Sequence, residues 1–453
     1  MTDADLIARY DGRVPRYTSY PTAPHFCSGV GADAYAQWLM ELPIGAPLSL
    51  YLHVPFCDRL CLYCGCNTTV VHRDEPKRAY AAMLIRELDM VANLLGRRAT
   101  VSHVHWGGGT PTALPPDALT GVMDHIRTRF RLDASAEVAI EIDPTSLDAA
   151  CLDALKRMGL TRASLGVQDF ALPVQEAIGR HQSYEETEAA ATALRGIGVT
   201  SLNLDLIYGL PYQTEESVAQ TARQALGLKA DRAAVFGYAH VPWMKKHQAL
   251  IKDSSLPQAL ERLAQERAIR TVLEGEGGYA AVGLDHYALP TDEMAIAARA
   301  QALHRNFQGY TTDAAPVLIG IGASSIGALP QGYVQNETGV PAYSAAIERG
   351  DFAVARGVAL TPDDKLRRAV IEAVMCDLAV DLPRMAKSMD MSAAPLLDDA
   401  AGLTPFIEDG LVTWDGARLS VTDRGRPFVR NVAALFDVYL RRASATPRHA
   451  ASV

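Results

Sequence analysis

Residues 48–69 read LSLYLHVPFCDRLCLYCGCNTT. A strand-like run, 48–54, feeds a loop that carries Cys57, Cys61, Cys64 and Cys66. The other cysteines, Cys27, Cys151 and Cys376, are scattered. Four thiols this close are costly to keep reduced and unpaired unless they bind something, and thiolates on a tight loop suit zinc or an iron–sulfur cluster. Zinc knuckles usually pair one CxxC with a second, distant pair, and none follows here. The first three cysteines form CxxxCxxC, with the aromatic Tyr63 just before the third. Three thiolates on a four-iron cubane leave one iron without a protein ligand, and an open coordination site is where a small molecule binds. Structural zinc and a disulfide are the competing readings.

Outward from this loop the pattern alternates between strand and helix. Strand-like runs occur at 48–54, 101–106, 137–143, 162–168, 201–207 and 233–240, with helix-like stretches between them. Repeated βα units give a parallel sheet, and right-handed crossovers curl it toward a barrel. The expected fold is therefore α/β. It comprises a partial parallel (β/α)6-type barrel over 45–330, an N-terminal arm over 1–44, and a smaller, mainly helical, winged-helix-like domain over 331–453. VPRYTSYPTAP in the arm has prolines and aromatics without periodicity, which predicts an ordered segment with neither helix nor strand. In the last region Thr361, Pro362, Asp363 and Asp364 read as a helix start. Asp415-Gly416 reads as a hairpin turn, and a final helix is expected through RPFVRNVAALFDVYLRR. The terminal SATPRHAASV is expected to fray.

The strand ends share one chemistry. They carry the cysteine loop, Gly107-Gly108-Gly109-Thr110-Pro111, Glu141 with Asp143, Gln168 with Asp169, Asn203 with Asp205, and Tyr238 with His240. In a parallel barrel these ends form one mouth, where active sites sit. A glycine run there lets backbone approach a ligand and grip a carboxylate through N–H groups. Asp205 and Glu141 suit ribose hydroxyls or a cationic amine, although such residues also cap helices. The run LIGIGASSIG (318–327) fits either close approach to a ligand or a plain strand–turn–strand.

Bulk properties narrow the class. The 453 residues are 49% apolar and 21% charged, with a net charge of −9. That balance disfavours nonspecific binding to nucleic acid or anionic membrane. No run approaches the ~18 apolar residues of a membrane span, and the N-terminus lacks a signal-peptide pattern. A cytoplasmic protein, monomeric by default, is expected. Residues 361–453 hold 12 Lys/Arg against 13 Asp/Glu, so a structural lid suits them better than a DNA reader.

CxxxCxxC resembles the signature of the radical S-adenosylmethionine (SAM) superfamily. There the methionyl group of SAM chelates the fourth iron, and an electron cleaves the sulfonium to a 5′-deoxyadenosyl radical. Longer stretches resemble the family of oxygen-independent coproporphyrinogen III oxidases: VPRYTSYPTAP, YLHVPFCDRLCLYCGCNT, HWGGGTPT, EIDP, GVQDF, NLDLIYGLP, LHRNFQGYTT and RNVAALFDVYL. The resemblance covers nearly the whole chain. It implies that Cys57, Cys61 and Cys64 hold one 4Fe-4S cluster and that Tyr51, Gly108 and Glu141 contact SAM. It also implies a second SAM, met by Tyr63, Gly109, Thr110, Gln168, Arg180, Asp205, Ala239 and Ile326. Cys66 is the family's extra cysteine. His53 lies two residues past Tyr51 on the same strand face and is expected at the mouth, so His53 and Cys66 are the candidate catalytic side chains.

The implied reaction removes CO2 from two propionates of coproporphyrinogen III, leaving vinyl groups and giving protoporphyrinogen IX in heme biosynthesis. A reducing electron donor is implied as a partner. A substrate with four carboxylates needs local cations, and Arg16, Arg59, His304 and Arg305 are the candidates. The rival readings are a heme-binding chaperone of the same superfamily branch and a zinc-stabilised module with a winged helix.

Overall fold

A computed structural model describes residues 1–96 and 99–441. SATPRHAASV lies outside the described residues. The strands Leu48–Val54, Arg162–Gln168 and Ser201–Tyr208 alternate apolar and polar positions, so one face packs on helices while the other lines the interior. In Ser201–Tyr208, Leu202, Leu204 and Leu206 are buried while Asn203 and Asp205 face the other way. Leu50, Leu52, Val104 and Trp106 belong to the same core, which holds most of the barrel's apolar side chains.

Twelve strands form one sheet: β1 Leu48–Val54, β2 Thr100–Gly108, β3 Arg131–Ile142, β4 Arg162–Gln168, β5 Ser201–Tyr208, β6 Arg232–Gly237, β7 Ala280–Val282, β8 His286–Ala288, β9 Val317–Ile321, β10 Ile326–Leu329, β11 Gly332–Asn336 and β12 Val354–Ala359. Their order is β12-β11-β10-β9-β1-β2-β3-β4-β5-β6-β8-β7. The six expected strands pair in parallel and in chain order. A seventh, β9, joins β1 in parallel, with Tyr51 opposite Gly320. Antiparallel strands then extend both edges. The result is the expected α/β architecture, a sheet with a parallel centre and antiparallel edges, and a mainly helical C-terminal region. LIGIGASSIG is a strand–turn–strand, β9 to β10.

The arm differs from its sequence reading. VPRYTSYPTAP is irregular apart from a short 3-10 turn at Ala23–His25, but helices Asp3–Tyr10 and Ala32–Met40 flank it. Thr2 and Asp5 close a capping box on the first helix, which supplies the start signal that the aromatics obscured. Its apolar face packs mainly on the C-terminal region, with Leu263 as the barrel-side member of the same core. Leu6, Tyr10, Tyr17 and Tyr20 share a second core with Val370, Val374, Leu411, Phe428 and Phe436. Tyr10 Oη donates to Asp409 at 2.5 Å, and Tyr17 Oη donates to Asp437 at 3.1 Å. The arm thus ties the two ends of the chain together.

Helix Pro362–Asp377 starts at Thr361 with a capping box to Asp364. A three-stranded sheet of Ala379–Asp381, Arg418–Val421 and Val412–Trp414 follows, with the turn at Asp415. Strands β11 and β12 fall within 331–453 yet belong to the barrel sheet, and the second core takes its C-terminal members from Leu366 onward. The expected final helix is broken into Val429–Ala434 and Val438–Arg441. The Asp437 carboxylate there accepts from Tyr439 N and Leu440 N, making a fresh cap where a helix interior was expected. Among the described residues no helix is long and apolar enough to cross a membrane.

One buried carboxylate fastens β9–β11 to the helix Asp74–Leu95. Glu87, 1% exposed, accepts from Gly322 N, Asn336 Nδ2 and Tyr343 Oη, each at 2.7 Å. Glu87→Ala strands two buried donors, Gly322 N and Tyr343 Oη, and takes one of three acceptors from Asn336 Nδ2. It is expected to cost about 3 kcal/mol or more, read as a lower midpoint in urea unfolding.

Candidate active site

The loop after β1 is held from below by a short parallel bridge, Phe56–Cys57 with Thr69–Val70. From the side it is held by the segment after β6. Lys245 Nζ donates to Cys66 O, His247 Nε2 lies on Cys64 O, and Gln248 Nε2 donates to Tyr63 O, each at 2.8 Å. Leu62 N donates to Ile178 O at 2.8 Å. The backbone carbonyls of the loop are thus fixed, and its thiols turn toward the mouth.

Cys57, Cys61, Cys64 and Cys66 line one cavity of about 810 Å³. Tyr63, Gly108, Gly109, Thr110, Glu141, Gln168, Arg180, Asp205 and Ala239 line it too. Tyr51, His53 and Ile326 are not among the lining residues. Tyr51 and His53 stand behind the glycine run, with Tyr51 Oη 3.1 Å from His53 Nδ1 and His53 Nε2 3.2 Å from Asn67 O. Burial lowers the His53 pKa, which favours the neutral ring. The backbone of Ile326 packs against Gly320, the residue paired with Tyr51.

The glycine run is a cradle that side chains would fill. Gly108 has φ +121°, and a Cβ there would stand 2.8 Å from both the His53 ring and Val54 O. A Cβ on Gly109 would stand 2.6 Å from Phe56 O and 2.9 Å from Cys57 Sγ. Gly108 N donates to Glu141 Oε2 at 3.0 Å. Below the run, His105 stacks on Tyr51 with centroids 5.9 Å apart. Its Nε2 is 3.6 Å from Glu141 Oε1, and neither ring nitrogen has a hydrogen-bond partner among the described residues.

Opposite the thiols, β4 and β5 supply a polar ladder. Asn203 Nδ2 donates to Ser164 Oγ at 2.7 Å and to Asp205 Oδ1 at 2.8 Å, and Ser164 Oγ donates to Asp205 Oδ2 at 2.9 Å. Burial, then the charge of Glu141, pushes Asp205 up to about 6. Arg180 Nη1 reaches Cys61 Sγ at 3.7 Å and Asp143 Oδ2 at 3.2 Å. Arg59 Nη2 lies 3.3 Å from the same carboxylate.

The donor set fits an iron–sulfur cluster. Burial pushes the Cys57 thiol up to about 11 and raises Cys61. A hydrogen bond with Cys66 holds Cys64 down to about 6 and keeps the proton on Cys66. Ligating thiols are deprotonated, so a cationic cluster core offsets the cost of burying them as thiolates. Among the described residues no three His, Cys, Asp or Glu side chains stand close enough for a single metal ion. Three thiols sharing one large cavity instead suit the corners of a cubane. The Gly108–Glu141 cradle beside them can take an amine and a carboxylate of a ligand seated on that cluster.

Sequence reasoning missed Lys245, His247 and Gln248 as supports of the loop. The only signal was a mixed, basic stretch just after a strand end. It also missed His105, whose place on the inner face of β2 follows from alternation with Trp106. Of the proposed substrate cations, Arg59 is engaged by Asp143, Thr145 and the His181 carbonyl, and His304 Nδ1 lies 3.2 Å from Glu372 Oε1. Arg16 and Arg305 meet, Arg305 donating to the Arg16 carbonyl at 3.1 Å.

Comparison with known proteins agrees with this geometry. Residues 51–225 match the radical SAM superfamily, and residues 360–428 match the HemN C-terminal domain. The oxygen-independent coproporphyrinogen III oxidase of Bradyrhizobium diazoefficiens is 50% identical, over 96% of this chain and 97% of that one. The Escherichia coli protein of the same name is 41% identical, over 97% of this chain and 96% of that one. The solved structure of coproporphyrinogen III oxidase (HemN) from Escherichia coli, a radical SAM enzyme, superposes with a TM-score of 0.90 at 39% identity. It covers 97% of this chain and 99% of its own. With a thiol-lined mouth, a glycine cradle and near full-length relatives, this chain belongs to the oxygen-independent coproporphyrinogen III oxidase family of the radical SAM superfamily.

Proposed function

We propose that this protein is an oxidoreductase of heme biosynthesis. It decarboxylates two propionates of coproporphyrinogen III to vinyl groups, without oxygen, to give protoporphyrinogen IX. The observation that carries this reading is the 810 Å³ cavity in which three cysteines of CxxxCxxC face the Gly108–Glu141 cradle. Near full-length relatives carrying the oxidase name disfavour the heme-carrying alternative.

The cluster and SAM, when bound, supply reductive sulfonium cleavage and hydrogen-atom abstraction, which acid–base side chains cannot perform on an unactivated C–H bond. The chain binds, orients and excludes water. Cys57, Cys61 and Cys64 hold the cluster. Gly108 and Glu141 grip the methionyl end of SAM, with Tyr51 packed behind them. Tyr63, Gly109, Thr110, Gln168, Arg180, Asp205 and Ala239 surround a second SAM, and Ile326 supports the strand beside Tyr51. His53 fixes Tyr51, and the protonated Cys66 thiol faces the cavity. A cytoplasmic monomer served by a reducing electron donor completes the reading.

Asp205 gives a pH dependence. With its pKa near 6, the carboxylate is ionised at neutral pH and accepts ribose hydroxyls. As pH falls through about 6 it gains a proton and loses acceptor capacity. SAM affinity is expected to fall with it, and Asp205→Asn is expected to lose that pH dependence while binding SAM more weakly at pH 7.5. Equilibrium SAM binding from pH 5.5 to 8 checks this.

Anaerobic reconstitution with iron and sulfide, then dithionite, SAM and coproporphyrinogen III, tests the function. Protoporphyrinogen IX and 5′-deoxyadenosine are the expected products. SAM cleavage with the porphyrinogen intact, plus tight heme binding, would favour the heme carrier.

A further inference from the structure

Next to the cysteine cavity lies a smaller hollow of about 50 Å³. A water needs roughly 10–15 Å³ of such space, so the hollow suits a few waters or a carboxylate and not a macrocycle. Its wall carries Arg16, Arg262, Arg270, Arg305, Arg426 and Arg430 against only two acids, Glu266 and Asp285. In a chain of net charge −9 this is a concentrated positive site. The arginines come from the arm, from the helix Ala259–Thr271, from the hairpin near Tyr310 and from the C-terminal region. Arg16, Gly237, Tyr238 and Ala239 line both hollows, which therefore share a wall.

The acids present do not use up this charge. Asp285 lies 2.8 Å from His286 Nδ1, and against its burial that hydrogen bond and the charges of His286, Arg305 and Arg16 hold it ionised, so it sets one negative charge against six arginines. Glu266 accepts from Tyr287 Oη at 3.2 Å, and burial raises its pKa, which disfavours its charged form. Arg270 has its own carboxylate close by, Glu274 at 2.8 Å. Arg262 Nε and Arg305 Nη1 are buried donors without a hydrogen-bond partner. Arg16 is exposed although it lies between the barrel and the C-terminal region, because its exposure is to the hollows. Burial, then the charge of Arg16, holds Arg430 down to about 10. Crowded guanidinium groups in a recess are stabilised by an anion, and their forks match a carboxylate.

We propose that this arginine hollow receives a propionate carboxylate of the substrate, anchoring one edge of the tetrapyrrole while a reacting propionate lies in the cysteine cavity. This rests on the proposed function. A methionyl carboxylate of SAM offers the same chemistry, but SAM also carries a sulfonium cation, which this cluster repels. A propionate on a large macrocycle brings no positive charge.

The test measures equilibrium binding to the full-length, reconstituted protein under anaerobic conditions. The probes are coproporphyrin III, the stable tetracarboxylate, its tetramethyl ester, and SAM. Arg262→Gln is expected to weaken coproporphyrin III binding about tenfold or more, with the ester and SAM bound as by wild type. Arg262→Lys is expected to recover part of the loss. Arg16→Gln, at a side chain exposed to the cavity, is expected to show the same pattern and serves if Arg262→Gln fails to fold. Unchanged coproporphyrin III binding, equal losses for acid and ester, or a loss confined to SAM would each overturn the inference. A wild-type protein that leaves coproporphyrinogen III unconverted overturns the proposed function itself. Conversion by wild type with unaffected binding by the variants overturns only the arginine site.

Discussion

Cys61→Ala is expected to yield a folded protein with no cluster absorbance and no product at all. The thiol is small and its removal leaves the loop's backbone clamps in place, since Leu62 N, Tyr63 O and Cys64 O keep their partners. The stability cost is therefore about 1 kcal/mol. The chemical cost is total, because two thiolates cannot hold the cubane at three corners. Iron and sulfide content, absorbance near 400 nm and product yield after reconstitution check it. Cys151→Ala, at a buried thiol in the helix Ala149–Met158, is the control and is expected to keep its cluster.

Gly108→Ala is expected to separate cluster from chemistry. At φ +121° an added Cβ meets the His53 ring and Val54 O at 2.8 Å, so the segment must shift and carries the Gly108 N–H to Glu141 with it. Cys61 and Cys64 lie on another segment and keep their geometry, while Cys57, which touches Gly109 and Thr110, takes up what part of the shift reaches it. Full iron loading with product formation reduced about 100-fold or more is therefore expected, since small displacements at a positioned ligand cost rate on that scale. Weaker SAM binding by equilibrium titration accompanies it. Normal turnover in this variant would mean that the cradle does not hold the reacting SAM.

The cysteine loop, the six βα units and the mouth at their C-terminal ends were legible because each depends on local signals. CxxxCxxC is contiguous, strand alternation has a period of two, and parallel topology follows from repeated strand–helix units. Distances along the chain hid the rest. Strand β9 pairs with β1 across more than 260 residues, and its glycines resembled a loop as much as a strand. The helix Asp3–Tyr10 finds most of its core among residues after 360, a partnership that periodicity cannot indicate. Arg59 lies beside the cluster loop in sequence, which suggested a substrate cation, but Asp143 holds it. Arg262 and Arg430 drew no notice because each sits in an ordinary amphipathic stretch, and only the packing of the C-terminal region on the barrel places them around one hollow.

The family assignment and the site geometry converge on one chemical claim: hydrogen is removed from a substrate propionate at the cysteine-lined mouth. The most direct measurement uses coproporphyrinogen III deuterated at the propionate β-carbons, incubated anaerobically with the reconstituted protein, dithionite and SAM. Deuterium in the recovered 5′-deoxyadenosine, together with protoporphyrinogen IX, is the predicted result. Protoporphyrinogen IX formed with deuterium-free 5′-deoxyadenosine, or 5′-deoxyadenosine released with the substrate unchanged, would contradict it.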